Sequence, residues 1–131
     1  MNEKELINEA FEAKKKSIAT YSKFQVGAAL ETEDGKIYYG ANIENASYSL
    51  TVCAERTAMF TALLSGERKF RRIAIVSDSS EITAPCGACR QVLNEFCDED
   101  FEIIMANKNG KFVVKTLGEL LPLGFKGENL K

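Results

Sequence analysis

The apolar positions along the chain change period several times, and each change marks an element. In residues 2–17, Leu6, Ile7, Ala10 and Phe11 recur at helical spacing. Asn2 and Glu5 have the spacing of a capping box, with Asn in place of the usual Ser or Thr. "KFQVGAALE" alternates instead and predicts a strand. "EDG" then turns the chain, and "KIYYGANIE" predicts the second strand of a hairpin. If that strand stays extended, Tyr38, Gly40, Asn42 and Glu44 share one face. Helical spacing returns over 53–65, in Ala54, Ala58, Met59, Ala62 and Leu63, with Thr51 as the expected N-cap. "RIAIVS" is a continuous apolar run, as in a strand covered on both faces. Pro85 sits where a helix can begin, and "CGACRQVLNEFC" follows. "FEIIMAN" and "KFVVK" predict strands around a "KNG" turn, and Thr116 with Glu119 makes a capping box before "LGELLP".

Strand–helix–strand alternation in the middle predicts an α/β protein, a mixed sheet with helices packed on it. No repeat, low-complexity segment or interdomain linker interrupts the pattern, so one domain over 1–131 is expected. Only "FKGENLK" reads as a loosely attached tail.

The 131 residues suit one domain with a real hydrophobic core. The net charge of −2 provides no basic excess for a phosphate backbone, so no nucleic-acid partner is expected. The first twenty residues, "MNEKELINEAFEAKKKSIAT", are charged throughout and do not read as a secretory signal. No stretch approaches the roughly 20 apolar residues of a membrane span. The expected location is therefore cytoplasmic, without a membrane partner. Thiols stay reduced there, so grouped cysteines suggest metal or chemistry before disulfides.

Cys86 and Cys89 have C-x-x-C spacing at the start of a predicted helix, where side chains at i and i+3 share a face. Cys53 falls at the start of another. Helix N-termini stabilise thiolates through unpaired N–H groups, so three thiolates at two helix starts can converge on one Zn²⁺. Cys97 lies eight residues beyond Cys89, roughly 12 Å along a continuous helix and too far to share a metal whose Zn–S bonds are about 2.3 Å. With Leu93 and Phe96 it reads as a buried thiol. The chain has no histidine. Water is then the simplest fourth ligand, and three protein ligands plus water is the pattern of a catalytic zinc site. Three other readings stand beside this one. A C-x-x-C redox pair would need neither Cys53 nor its glutamate. A structural zinc would take Asp78 or another carboxylate as fourth ligand. Cysteines as core filler would leave Pro-Cys-x-x-Cys at a helix start unexplained.

Glu55 follows Cys53 by two residues. On the first helical turn its carboxylate can face the open metal position and serve as general base, then acid. Its alternative role is to favour the helix N-terminus by charge. Cys53-Ala54-Glu55 followed by Pro85-Cys86-Gly87-Ala88-Cys89 matches the signature of zinc nucleobase deaminases in its three-cysteine form. Three thiolates leave the site strongly negative, which weakens a metal's power to acidify water. Arg56 can donate to the thiolates and offset this charge, in preference to a surface ion pair.

With "YSKFQVGAAL", "NIENASYSL", "CAERTA", "PCGACRQVL" and "ELLP" followed by an aromatic, the chain resembles the small, homotetrameric, three-cysteine cytidine deaminases over nearly its whole length. The resemblance implies a three-layer α/β/α sandwich with a five-stranded mixed sheet. It implies one Zn²⁺ per subunit on Cys53, Cys86 and Cys89, with Glu55 moving protons and Arg56 supporting the ligands. Phe24 would pack on the pyrimidine, Asn42 and Glu44 would bind ribose hydroxyls, and the backbone at Ala54 and Ala84 would meet the base edge. Ala46, Tyr48 and Phe125 would approach neighbouring subunits' sites in a homotetramer with composite active sites. The implied reaction is hydrolytic deamination of cytidine and 2′-deoxycytidine, with release of ammonia, in pyrimidine salvage. Val52, Ala41 and Leu123 depart from the usual pattern, and Leu123 bears on how Phe125 would enter a neighbouring site.

Three rival functions make different demands. A deaminase of another aminopyrimidine, such as a blasticidin-type antibiotic, would share the chemistry, though "NIEN" and Phe24 favour ordinary nucleosides. A polynucleotide deaminase would require the basic surface that the composition lacks. A structural zinc module would require a fourth protein ligand.

Overall fold

A computed structural model describes residues 1–127. Residues 128–131 of the expected loose tail lie outside the described residues. The element order is α1 (Glu3–Lys14), β1 (Val26–Thr32), β2 (Ile37–Ala41), a single 3₁₀ turn (Tyr48–Leu50), α2 (Ala54–Leu64), β3 (Phe70–Ser77), α3 (Gly87–Phe96), β4 (Glu102–Ala106), β5 (Phe112–Thr116) and α4 (Leu117–Leu120). The five strands form one mixed sheet in the order β2-β1-β3-β4-β5. Every pairing is antiparallel except β3 with β4, which α3 joins as a parallel crossover.

Strand alternation sends successive side chains to opposite faces, and each face has its own core. Ala29, Ala74, Val76, Ile104 and Ala106 pack under Leu6, Ile7 and Ala10 of α1. Ala28, Leu30, Ile73, Ile75, Ile103 and Met105 pack under α2, α3 and α4 through Ala58, Met59, Leu93 and Leu117. The result is the expected three-layer α/β/α sandwich. Two glycines allow the helices to lie this close. A Cβ on Gly27 would stand 2.2 Å from the Ala10 carbonyl oxygen of α1, and one on Gly40 would stand 2.2 Å from that of Ala54 in α2.

Both capping boxes form: Asn2 with Glu5 on α1, and Thr116 with Glu119 on α4. The "EDG" and "KNG" turns hold Gly35 and Gly110 at positive φ, as glycine allows. Four boundaries differ from expectation. α1 stops at Lys14, just past Ala13, its last buried residue. β2 ends at Ala41, and the chain beyond continues through isolated bridges from Ile43 to Ile18 and Val52. Thr51 does not cap α2, because it closes the 3₁₀ turn, and the cap of α2 is Cys53. Pro85 precedes the cap of α3, which is Cys86.

Candidate active site

The cysteines owe their meeting to two helix starts laid side by side against the same face of the sheet. Cys53 is the N-cap of α2, Cys86 is the N-cap of α3, and Cys89 lies in the first turn of α3. Cys53 Sγ is 3.7 Å from Cys86 Sγ, and Cys86 Sγ is 3.3 Å from Cys89 Sγ. All three sulfurs lie within 4.8 Å of one another. A tetrahedral ion with Zn–S bonds of about 2.3 Å requires sulfur separations of about 3.8 Å, so the triad fits zinc. Among the described residues, no fourth His, Cys, Asp or Glu joins this cluster. Asp78, the candidate carboxylate ligand, is engaged elsewhere: it pairs with Lys14 Nζ at 2.6 Å and accepts from the Gln25 N–H at 2.8 Å. Cys97 closes the C-terminal end of α3 as a buried thiol whose pKa burial raises to about 12.

The thiols share their protons unevenly. Hydrogen bonding from Cys89, helped by Arg56 and opposed by burial, brings the Cys53 pKa down to about 5, while the same hydrogen bond and burial push Cys89 up. Arg56 Nη2 donates to Cys53 Sγ at 3.4 Å. Its Nε is buried with no partner among the described residues. Glu55 is only 5% exposed. Burial raises its pKa to about 7, and the Cys53 thiolate adds to the rise. Such a carboxyl both holds and releases a proton near neutrality, as acid–base catalysis requires.

These groups form the floor of a cleft of about 400 Å³. Phe24, Asn42, Glu44, Tyr48, Cys53, Ala54, Glu55, Ala84 and Cys86 line it, and Ser22, Val26, Thr51 and Thr83 join them. Cys89 lies buried beneath. Asn42 and Glu44 stand on one wall because the chain stays extended past β2. Phe24 projects from the loop before β1 and is 40% exposed. Neither Ala46 nor Phe125 lines the cleft of its own chain. Ala46 is exposed on the loop before the 3₁₀ turn. Phe125 is 55% exposed, and its carbonyl accepts from Gln91 Nε2 at 2.8 Å and Asn94 Nδ2 at 2.9 Å. Volume alone would not have found the site: a cleft of about 640 Å³ between α1 and the β4–β5 turn is larger, but it is lined by Lys4, Lys108 and Lys111 and gathers no comparable chemistry.

Sequence reasoning missed Ser22, Val26, Thr51 and Thr83. Ser22 and Val26 flank Phe24 at two residues' distance, and that spacing was the available signal. Thr83 came with none.

A mixed sheet carrying zinc-competent thiols and a buried glutamate at two helix starts defines a zinc-binding deaminase fold, and the comparisons agree. Residues 1–105 match the family described as the cytidine and deoxycytidylate deaminase zinc-binding region. The cytidine deaminase of Sporosarcina psychrophila is 47% identical over 130 residues, covering 99% of this chain and 96% of that protein. The cytidine deaminase of Halalkalibacterium halodurans is 48% identical over 130 residues, covering 99% and 98%. The crystal structure of cytidine deaminase from Burkholderia pseudomallei superposes with a TM-score of 0.93 at 48% identity, covering 95% of this chain and 100% of that one. The chain belongs to the cytidine deaminase family.

Proposed function

We propose that the protein hydrolytically deaminates cytidine and 2′-deoxycytidine to uridine and 2′-deoxyuridine, with residues 1–131 acting as one catalytic domain. The observation that carries this reading is the placement of Glu55, a nearly buried carboxyl, beside three zinc-competent thiols on the floor of a cleft.

In this reading Cys53, Cys86 and Cys89 hold the zinc ion, and Arg56 offsets thiolate charge from behind. Bound there, zinc supplies a Lewis acid that acidifies a water. Glu55 takes a proton from the attacking water and delivers it to N3 of the cytosine. The water oxygen bonds to C4, Glu55 takes the remaining proton of the new C4 hydroxyl and gives it to the amine at C4, and the C4–N bond breaks to release ammonia as the C4 carbonyl forms. Phe24 orients the ring and helps exclude water, Asn42 and Glu44 hold the sugar hydroxyls, and the Ala54 and Ala84 backbone meets the base edge.

The reading extends to a homotetramer in which Ala46, Tyr48 and Phe125 reach neighbouring sites. Tyr48 at 70% exposure, Leu50 at 63% and Phe125 at 55% support such an interface. It also extends to a cytoplasmic role in pyrimidine salvage. Among the described residues, no helix is long and apolar enough to cross a membrane.

The test is the ultraviolet absorbance change when zinc-loaded protein meets cytidine, 2′-deoxycytidine and a blasticidin-type nucleoside in turn. Conversion of the first two supports the reading, and turnover of the third alone overturns it. Glu55→Gln is expected to abolish turnover with zinc retained. Cys89→Ala is expected to lose zinc and activity together, and full zinc occupancy there would refute the ligand assignment. Sedimentation velocity tests the tetramer.

A further inference from the structure

The loop before β1 has no helix or strand to hold it, yet it presents Phe24 to the cleft. Hydrogen bonds hold it instead: Asn42 Nδ2 donates to the Phe24 carbonyl at 2.9 Å, the Lys23 N–H donates to the Ala19 carbonyl at 3.0 Å, and one exposed hydroxyl links Phe24 to Glu44. Ser22 Oγ donates to Glu44 Oε2 and accepts from the Phe24 N–H at 3.0 Å. The other carboxylate oxygen, Glu44 Oε1, accepts from the backbone N–H groups of Ser22 at 2.9 Å and Tyr21 at 3.0 Å. Between Ser22 and Phe24, Lys23 adopts φ +61°, in the left-handed region that side chains disfavour. The loop is thus wrapped around the Glu44 carboxylate, with a left-handed turn where it delivers Phe24.

We propose that Ser22 is a positioning residue for the cleft: its hydroxyl fixes the Glu44 carboxylate and the Phe24 backbone in a single register, across the left-handed turn at Lys23. The proposal rests on the nucleoside reading for what Glu44 and Phe24 would hold. Ser22 touches neither the thiols nor Glu55, and it is exposed, so it adds nothing to core packing. Its effect therefore falls on ligand geometry and leaves fold and metal site alone. Donors from Ser22, together with Tyr21 and the charge of Lys23, hold the Glu44 carboxyl below its ordinary value of 4.5. That provides a readout independent of turnover.

The experiment compares Ser22→Ala with Ser22→Thr, which keeps a hydroxyl. Ser22→Ala is expected to lower kcat/KM for cytidine about tenfold, mainly through KM, as loss of a hydrogen bond to a charged group implies. It should lower it far less for 2′,3′-dideoxycytidine, which lacks the hydroxyls that Glu44 would accept. Ser22→Thr should restore most of the loss, and melting temperature and zinc content should not change. Lys23→Val should lose more than Lys23→Gly: both remove the charge, but only glycine accepts the left-handed turn. The Glu44 carboxyl, followed by carbon-13 NMR, should titrate higher in Ser22→Ala than in the wild type. Equal losses on the two substrates, or an unmoved Glu44 titration, would overturn the proposal. If the wild type turns over neither cytidine nor 2′-deoxycytidine, the nucleoside reading fails instead, and the Glu44 titration alone decides whether Ser22 sets the carboxylate.

Discussion

On one face of the sheet, α1 lies across Ala29, Ala74 and Ile104 and contributes nothing to the cleft. On the other, α2 and α3 cover Leu30, Ile75 and Ile103, and their first turns carry every thiol of the metal site and Glu55. Both faces use apolar burial, and both use a glycine to bring a helix onto a strand. What differs is which part of the helix meets the glycine. Gly27 receives the last turn of α1, and Gly40 receives the first turn of α2. A helix start carries free N–H groups and partial positive charge, so only the second contact presents groups that favour thiolates. Similar packing supports structure alone on one face and chemistry on the other.

Breaking each glycine contact tests this most severely. Gly27→Ala and Gly40→Ala should each cost about 5 kcal/mol, since the new methyl meets backbone that cannot rotate away. In thermal melts the two should look alike. Zinc stoichiometry in the folded fraction should separate them, with Gly40→Ala losing metal and Gly27→Ala keeping it. Equal zinc retention would show that the close approach of α2 does not set the site.

The next largest effect comes from the cores. Leu6 on α1 and Leu93 on α3 are both fully buried. Each truncation to Ala should cost about 3 kcal/mol. Leu93 lies one turn beyond Cys89 on the same helix face, so only Leu93→Ala should also weaken zinc, read by competition with a chromophoric chelator.

Smaller again is Leu123, fully exposed at φ +56°. Leu123→Gly relieves a left-handed side chain without losing packing and should stabilise by about 1 kcal/mol in a melt.

The smallest effect joins the two faces. Asp78, beyond β3, pairs with Lys14 of α1. Burial opposes its ionisation, but the Lys14 and Gln25 donors outweigh it and hold the carboxyl below its ordinary value of 3.8. A depressed folded pKa means that the stabilisation is complete above about pH 4 and fades as pH falls through the folded value. The side chain is 36% exposed, so solvent screening limits the gain to about 0.5–1 kcal/mol. Asp78→Asn should lower the melting temperature slightly at pH 7 and not at pH 2.

The elements themselves were legible because their causes are local. The capping boxes, the glycine turns and the alternation of β1 depend on neighbours within a few residues. The candidate ligands were legible for the same reason, since Cys86 and Cys89 share a turn. Cys53 was tied to them by its place at the start of a second predicted helix and by the Cys-x-Glu spacing, while the meeting of the two helix starts was not local. Thr51 was misread as a cap because Ser and Thr are common there, and nothing local announced that the chain would make a 3₁₀ turn first. Ser22 escaped notice because its partner Glu44 is twenty-two residues away.

The sequence by itself determined which segments become helices and strands, which residue types can bind zinc, and that a glutamate accompanies them. Period, capping and turn chemistry act over a few residues and are written in the order of the chain. Only the tertiary structure decided that β1 lies between β2 and β3, that α2 and α3 start side by side, and that Asn42, Glu44 and Phe24 face the thiols across one cleft. Those relations are pairings between distant segments, chosen by burial on the two faces of the sheet and by the absence of a Cβ at Gly27 and Gly40. The raised pKa of Glu55 belongs with them, because it comes from burial that no stretch of sequence contains.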